Sequence, residues 1–207
     1  MALLENIQTN HATFLENLSH RFLDEQRESA LQKFEEKGFP TKKDEEYKYT
    51  NLKEITEKNY NFFPTEAHNI AKEKIAELHL GEENFDWIVF VNGKLQKELS
   101  KITIENVELL SFNYALNDPK HKDVFDQYFN TIADQNLAFT NLNTAYCKMG
   151  FFLKVPKNMV IEKPIHVFYL SQNQDENTFY NTRNLLIAEE GSKIEIIESH
   201  HNFDESF

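Results

Sequence analysis

The chain has 207 residues and a net charge of −12, from 22 basic and 34 acidic side chains. A polyanion would meet net repulsion, which argues against nucleic acid as the main ligand. The single cysteine, Cys147, excludes an intrachain disulfide and fits a reducing cytoplasm.

Residues from Leu3 to Lys37 read as helix. Phe14, Leu15, Leu18 and Phe22 recur at helical spacing, and Ala30, Leu31 and Phe34 resume the stripe. Nothing in Met1-Ala2-Leu3-Leu4-Glu5-Asn6 resembles a basic leader with a long apolar run, so no signal peptide or membrane span is expected. Gly38 and Pro40 carry helix-stop chemistry. From Thr41 to Leu52, charge then alternates with rings: Lys42, Lys43, Asp44, Glu45, Glu46, Tyr47, Lys48, Tyr49. One reading is a solvated turn whose two tyrosines pack back onto the domain; the other is a docking face, because rings beside charges suit a contact surface.

A short helix is expected over Leu52–Lys58, and an extended segment from Tyr60 to Pro64. Ala67–Leu80 returns to helix on Ile70, Ile75 and Leu78, with His68 and His79 read as surface residues. Trp87–Val91 is a β run, Asn92-Gly93 a hairpin signal, and Lys94–Leu99 the return strand. Ile102–Ile104 and Val107–Leu109 alternate and extend the strand pattern. Asp118-Pro119 opens a helix on Val124, Phe125, Tyr128, Phe129 and Ile132. A second runs from Asn136 to Met149 on Leu137, Phe139, Leu142 and Tyr146, with Gly150 as its stop.

Beyond Gly150 the period changes from helix to strand. Leu153 and Val155 alternate, Val160-Ile161 follow a turn, and Ile165, Val167 and Tyr169 alternate again. After a polar loop from Ser171 to Asn177, Leu185, Ile187, Ile194 and Ile196 continue the pattern around Glu190-Gly191. An internal repeat pairs Leu153 with Leu186, Asn158 with Gly191 and Ile161 with Ile194. Both copies read strand, turn, strand, which is how a solenoid buries its core; a sandwich or open sheet is the alternative.

Candidate chemistry is sparse. Asp44, Glu45 and Glu46 are adjacent in sequence, which does not place carboxylates around a cleft. Cys147 has no motif-supplied base and reads as a packing residue. His200 shares a strand face with Glu198, Glu195 takes the opposite face, and His166 lies on another strand; a His/Glu metal site is weighed there against strand-surface decoration, and the latter is preferred. No phosphate loop, nucleophile elbow, His-Glu-x-x-His or Cys-x-x-Cys occurs. We expect no catalytic, cofactor-binding or metal-ligating residue, and no enzymatic activity. Arg183 is read as a rim ion pair with an acid such as Glu189, or as an inter-subunit contact.

Five pieces in order carry a resemblance. They are Gly38-Phe39-Pro40-Thr41-Lys42-Lys43-Asp44-Glu45-Glu46-Tyr47-Lys48-Tyr49-Thr50; Phe90-Val91-Asn92-Gly93-Lys94-Leu95; Leu142-Asn143-Thr144-Ala145 leading to Gly150; Val155-Pro156-Lys157-Asn158 leading to Glu162-Lys163-Pro164-Ile165; and Arg183-Asn184-Leu185-Leu186-Ile187. Together they resemble the SufB/SufD family of iron–sulfur cluster assembly scaffolds, and the first piece resembles the SufD branch more than SufB. The resemblance covers the N-terminal half of such a protein, whose chain is about twice as long.

It implies an α+β fold: a mainly helical domain over 1–150 with a β-hairpin near 87–99, then the first coils of a parallel β-helix over 151–207, cut short at Phe207. It also implies a non-enzymatic, cytoplasmic scaffold subunit that pairs with a SufB-like paralogue and docks a SufC-like ATPase through its C-terminal half. The cluster is then handled by the full complex, with no cofactor in this fragment, no nucleic acid and no membrane. Self-association through an open strand edge is expected of the fragment. A secreted carbohydrate-active β-solenoid enzyme is the remote alternative.

Overall fold

The computed structural model describes residues 2–19, 22–63, 75, 77–78, 84–172 and 177–203. The chain is a mixed helix and sheet protein made of two compact units. The first combines Met1–Phe63, Leu116–Lys148 and Asp175–Thr182; the second combines Pro64–Ala115, Met149–Gln174 and Arg183–Phe207.

In the first unit the apolar stripe builds helices α1 (Ala2–Glu16) and α2 (Asp24–Lys37) in place of the single helix expected from Leu3 to Lys37. The reason lies in the phase of the stripe. Leu3, Ile7, His11, Phe14 and Leu18 keep a spacing of three or four, and so do Leu23, Arg27, Ala30 and Phe34. Between Leu18 and Leu23 the step is five. A straight helix would have buried Phe22, which is 38% exposed, while Leu23 is 1% exposed. A break lets both stripes face one core.

Helix α2 ends where expected: the Gly38 N–H donates to the Phe34 carbonyl at 2.7 Å. Phe34 is fully buried, a transfer gain of about 2–3 kcal/mol. Then follow α3 (Lys53–Thr56), shorter than predicted, α5 (Lys122–Tyr128) and α6 (Ala138–Tyr146). Asp118 accepts from the Lys120 N–H at 3.1 Å ahead of α5, as Asp-Pro chemistry predicts. Helices α1, α2 and α6 share a core of Ile7, Phe14, Phe34, Leu142 and Tyr146, joined by Phe39 and Phe62.

Of the helix expected over 67–80, only Ile75, Glu77 and Leu78 are described; His68 and His79 lie outside the described residues. In the second unit β1 (Asp86–Val91) turns at Asn92-Gly93 into β2 (Lys94–Leu95), with Phe90 opposite Leu95. The return strand is two residues long, because Lys97–Leu99 coils into a single 3-10 turn. Ile102–Ile104 is not a strand either. The fully buried Asp86 carboxylate accepts from the Thr103 N–H at 2.7 Å, the Thr103 hydroxyl at 2.7 Å and the Ile104 N–H at 2.9 Å, so those amides are taken by a side chain. Strand β3 is Glu108–Ser111, and α4 (Phe112–Asn117) leads back to the first unit.

Four strands follow: β4 (Phe151–Val155), β5 (Ile165–Ser171), β6 (Leu185–Ala188) and β7 (Ile196–Asn202). One sheet has the order β2-β1-β5-β7 and the other β3-β4-β6. Strand β5 lies between β1 and β7 and is parallel to both, and β4 is parallel to β6. Inner side chains of both sheets, including Ile88, Phe90, Leu153, Val155, Val167 and Tyr169, form one core.

The repeat read from sequence is a set of contacts. Leu153 pairs with Leu186, and Val160 bridges Lys193 in the same offset as Ile161 and Ile194. The turns agree as well, with Asn158 at φ 60° and Gly191 at φ 70°. A Cβ on Gly191 would sit 2.4 Å from Asn158 Oδ1, so the second turn lies directly against the first. Gly150 was expected to stop α6, but that helix ends at Tyr146. Its φ of +125° instead serves β4: a Cβ there would lie 2.0 Å from the Arg183 carbonyl oxygen, and the Arg183 N–H donates to Met149 O at 2.7 Å.

Candidate assembly surface

The ring-and-charge segment is pinned at one end and open at the other. Phe39 is buried against Phe34 and Phe139, at ring-centroid distances of 5.1 and 6.0 Å. Asp44 Oδ2 accepts from the Thr41 N–H at 2.7 Å and from its hydroxyl at 3.1 Å; the backbone bond, followed by the side-chain bond, holds the Asp44 carboxyl below its usual range. Tyr47 then rests on Phe139 at 5.8 Å. Tyr49 does not pack back: it is 91% exposed, with the Lys48 ammonium 5.6 Å from its ring centre. The segment therefore presents a ring and a cation on a turn fixed by a buried phenylalanine. Glu45 and Glu46 are exposed beside it and frame no cleft.

A second surface is the pair of terminal strands in the sheet unit. Strands β6 and β7 each end the order of their sheet, so each is paired along one edge only among the described strands. Behind them lies a polar network. Asn184 Oδ1 accepts from the Phe151 N–H at 3.1 Å, and its Nδ2 donates to the Tyr169 hydroxyl at 2.6 Å and to Glu198 Oε1 at 3.0 Å. His200 stacks on Tyr169 at 4.8 Å.

His200 and Glu198 thus share a face, as alternation predicts, but His166 is on the other one. There His166 Nε2 is 2.8 Å and His201 Nε2 is 3.0 Å from the Ser199 hydroxyl oxygen. Among the described residues no three His, Cys, Asp or Glu side chains come together as a metal site. Sequence reading gave Asn184 no role beyond its place in the Arg183–Ile187 piece, and it did not single out Ser199. The signal for Asn184 was its offset from Phe151, equal to that between Leu153 and Leu186.

Other candidates take structural positions. Glu189 is paired with Lys154 at 3.0 Å and accepts from the Lys157 N–H at 3.0 Å, so the acid assigned to Arg183 is engaged by lysines. These contacts, the Lys154 side-chain bond foremost, hold the Glu189 carboxyl below its usual range. Arg183 is half-buried and contributes its backbone to the close approach at Gly150. Cys147 is fully buried at the end of α6, its carbonyl accepting from Arg27 Nη2 at 2.9 Å. Among the described residues no helix is long and apolar enough to cross a membrane.

A family model described as the SufBD protein N-terminal region matches residues 3–167. The chain belongs to this family. An iron-sulfur cluster assembly SufBD family protein of Synechocystis is 25% identical over 161 residues, covering 78% of this chain and 35% of its own. One of Staphylococcus saprophyticus is 26% identical over 158 residues, covering 72% of this chain and 32% of its own. A Mycobacterium tuberculosis protein of the same description is 33% identical over 81 residues, covering 38% of this chain and 9% of its own. The chain spans about a third of the length of the first two relatives. Within this SufBD region fall the ring-and-charge turn, the hairpin, β4 and the start of β5; β6 and β7 lie beyond the matched residues.

Proposed function

We infer that the chain is the N-terminal part of a SufD-type, non-enzymatic scaffold subunit of an iron–sulfur cluster assembly complex. In this reading residues 151–207 start a parallel β-helix, with β4–turn–β5 as one coil and β6–turn–β7 as the next. The observation that carries it is the parallel register of both strand pairs, joined by the Val160–Lys193 bridge between their turns. Further support comes from the Gly-Phe-Pro-Thr to Tyr-Thr stretch, which resembles SufD more than SufB. The longer protein is cytoplasmic, pairs with a SufB-like paralogue through the β-helix and docks a SufC-like ATPase. The open edges of β6 and β7 are where the next coil stacks.

Complementation tests the assignment. The full-length protein carrying this region should restore growth to a bacterium lacking SufD under iron limitation, and not to one lacking SufB. Rescue of the SufB-deficient strain alone would overturn the SufD reading. Failure of the tagged protein to co-purify a SufB-like and a SufC-like subunit would overturn the scaffold role.

A further inference from the structure

At the opposite ends of the two sheets from β6 and β7, beside β2 and β3, the sheet unit has a cleft of about 560 Å³. That volume lies within the range of roughly 300–1,000 Å³ typical of small-molecule sites. Its wall reaches the core residues Ile88 and Phe151 and continues over the half-buried Ile104, Val107, Leu109 and Leu110. Such a surface costs free energy while it faces water, and an apolar chain laid along it removes that cost.

The polar groups select the head of the ligand. Ser100 Oγ is committed twice, accepting from the Val89 N–H at 2.9 Å and donating to Gln96 O at 2.7 Å. Ser111 Oγ accepts from the Tyr114 N–H at 3.4 Å. What remains at the wall is the Lys97 ammonium, exposed and the one charged side chain among the described lining residues, and the phenol of Tyr114, 60% exposed. Both are hydrogen-bond donors by chemistry, and among the described lining residues there is no carboxylate to attract a cation. We propose that this cleft binds a small amphipathic carboxylate, a medium-chain fatty acid or its aromatic equivalent, with its apolar body against Ile104, Val107 and Leu110 and its carboxylate at Lys97 and Tyr114. The site is separate from the strand edges invoked for assembly and does not depend on that reading.

Calorimetric titration of the chain with decanoate, decanol and decylammonium, each below its micelle concentration, tests it. Decanoate should bind saturably, one per chain, and more tightly than decanol, with decylammonium weakest. Lys97→Gln should weaken decanoate by about fivefold, the worth of one exposed charge contact, and leave decanol unchanged. Ile104→Trp should fill the cleft and abolish binding, and Val107→Glu should repel decanoate more than decanol. Circular dichroism identifies whichever of these two variants stays folded, and Lys97→Gln carries the test if neither does. Absence of saturable decanoate binding, equal affinity for decanoate and decylammonium, or an unchanged decanoate affinity in Lys97→Gln would each overturn the proposal.

Discussion

In the helical unit the ties that hold its helices together run from side chains to backbone, beside one backbone bridge at Asn61–Thr178, whereas in the sheet unit the long-range ties run largely from backbone to backbone. The end of α6 is held by three such side chains. His11 donates to Ala145 O at 3.2 Å, Arg27 to Cys147 O at 2.9 Å, and the Tyr146 hydroxyl returns to Ile7 O. The first two satisfy carbonyls near a helix C-terminus, where donors are needed and positive charge is favoured. The sheet unit repeats a ladder instead: Ile161 N–H to Lys193 O at 2.8 Å, Asn158 N–H to Glu190 O at 2.9 Å, Ile165 N–H to Glu195 O at 2.9 Å. A unit closed by a few buried polar side chains fails through one substitution of a side chain. A unit closed by stacked backbone fails where a side chain is added between coils.

The largest expected effect follows from that second statement. Gly150→Ala puts a methyl 2.0 Å from the Arg183 carbonyl on a backbone at φ +125°, and neither atom can move without parting β4 from the chain beside it. We expect a loss of about 4 kcal/mol or more, or no folded protein. Gly191→Ala meets the Asn158 side chain at 2.4 Å, which can rotate away, so about 2 kcal/mol is expected, mostly from the left-handed backbone. Urea unfolding followed by fluorescence of the single tryptophan, Trp87 in β1, measures both. Equal costs at the two glycines would mean that the close approach at Gly150 is not a fixed feature of the sheet unit.

Next comes Arg27. Its side chain is 1% exposed, with Asp24 3.5 Å from Nη1, and its Nε lacks a hydrogen-bond partner. Arg27→Ala removes a buried volume, takes the cation from beside Asp24 and leaves the Cys147 carbonyl short of a donor, for about 3 kcal/mol. Arg27→Met keeps most of the volume and should cost less, because the guanidinium is itself incompletely satisfied. Helical circular dichroism during urea unfolding gives the two values. If methionine were as damaging as alanine, the charge rather than the packing would be what holds α2 to α6.

This contrast between the units also explains what was legible in the sequence. A repeat of strand, turn, strand can be read along one line of text, so the partners of Leu153, Asn158 and Ile161 were found by offset. The pairing of β1 with β5 was not, because Trp87–Val91 and Ile165–Leu170 carry no shared motif and their register is set by the fold. Nor did helical periodicity flag Arg27, a charged residue at a stripe position, or show that the stripe changes phase between Leu18 and Leu23. At the candidate surface, alternation placed Glu198 with His200 correctly. It could not say that His166 faces Ser199 and His201, since that depends on which residue of β7 opposes which of β5.

A smaller, pH-dependent effect belongs to His11. Burial, its main cause, lowers the pKa of this imidazole below the ordinary 6.5, so the folded state binds the proton less readily than the unfolded chain. The stabilisation is therefore complete above about 6.5 and is lost as pH falls from there toward the depressed value. His11→Gln should cost about 1 kcal/mol at neutral pH and flatten the stability profile in the range just below about pH 6.5. Urea midpoints across that range, for the wild type and the variant, check it. Parallel profiles would show that some other group carries the acid sensitivity.

The smallest effect on stability is expected at Tyr49, and its value lies in the contrast with Tyr47 two residues earlier. Tyr47 packs on Phe139, so Tyr47→Ser should cost about 1 kcal/mol by loss of a ring contact and partial burial. Tyr49 is 91% exposed, and Tyr49→Ser should change stability by less than about 0.5 kcal/mol. A ring held almost wholly in water beside Lys48, on a turn braced by Phe39, Asp44 and Tyr47, has no work to do in the fold. If the segment is a docking face, Tyr49→Ser in the full-length protein should lower recovery of co-purified subunits while the unfolding curve stays in place. Unchanged recovery, with Tyr47→Ser alone reducing both stability and yield, would return the segment to a solvated turn that braces the helical unit.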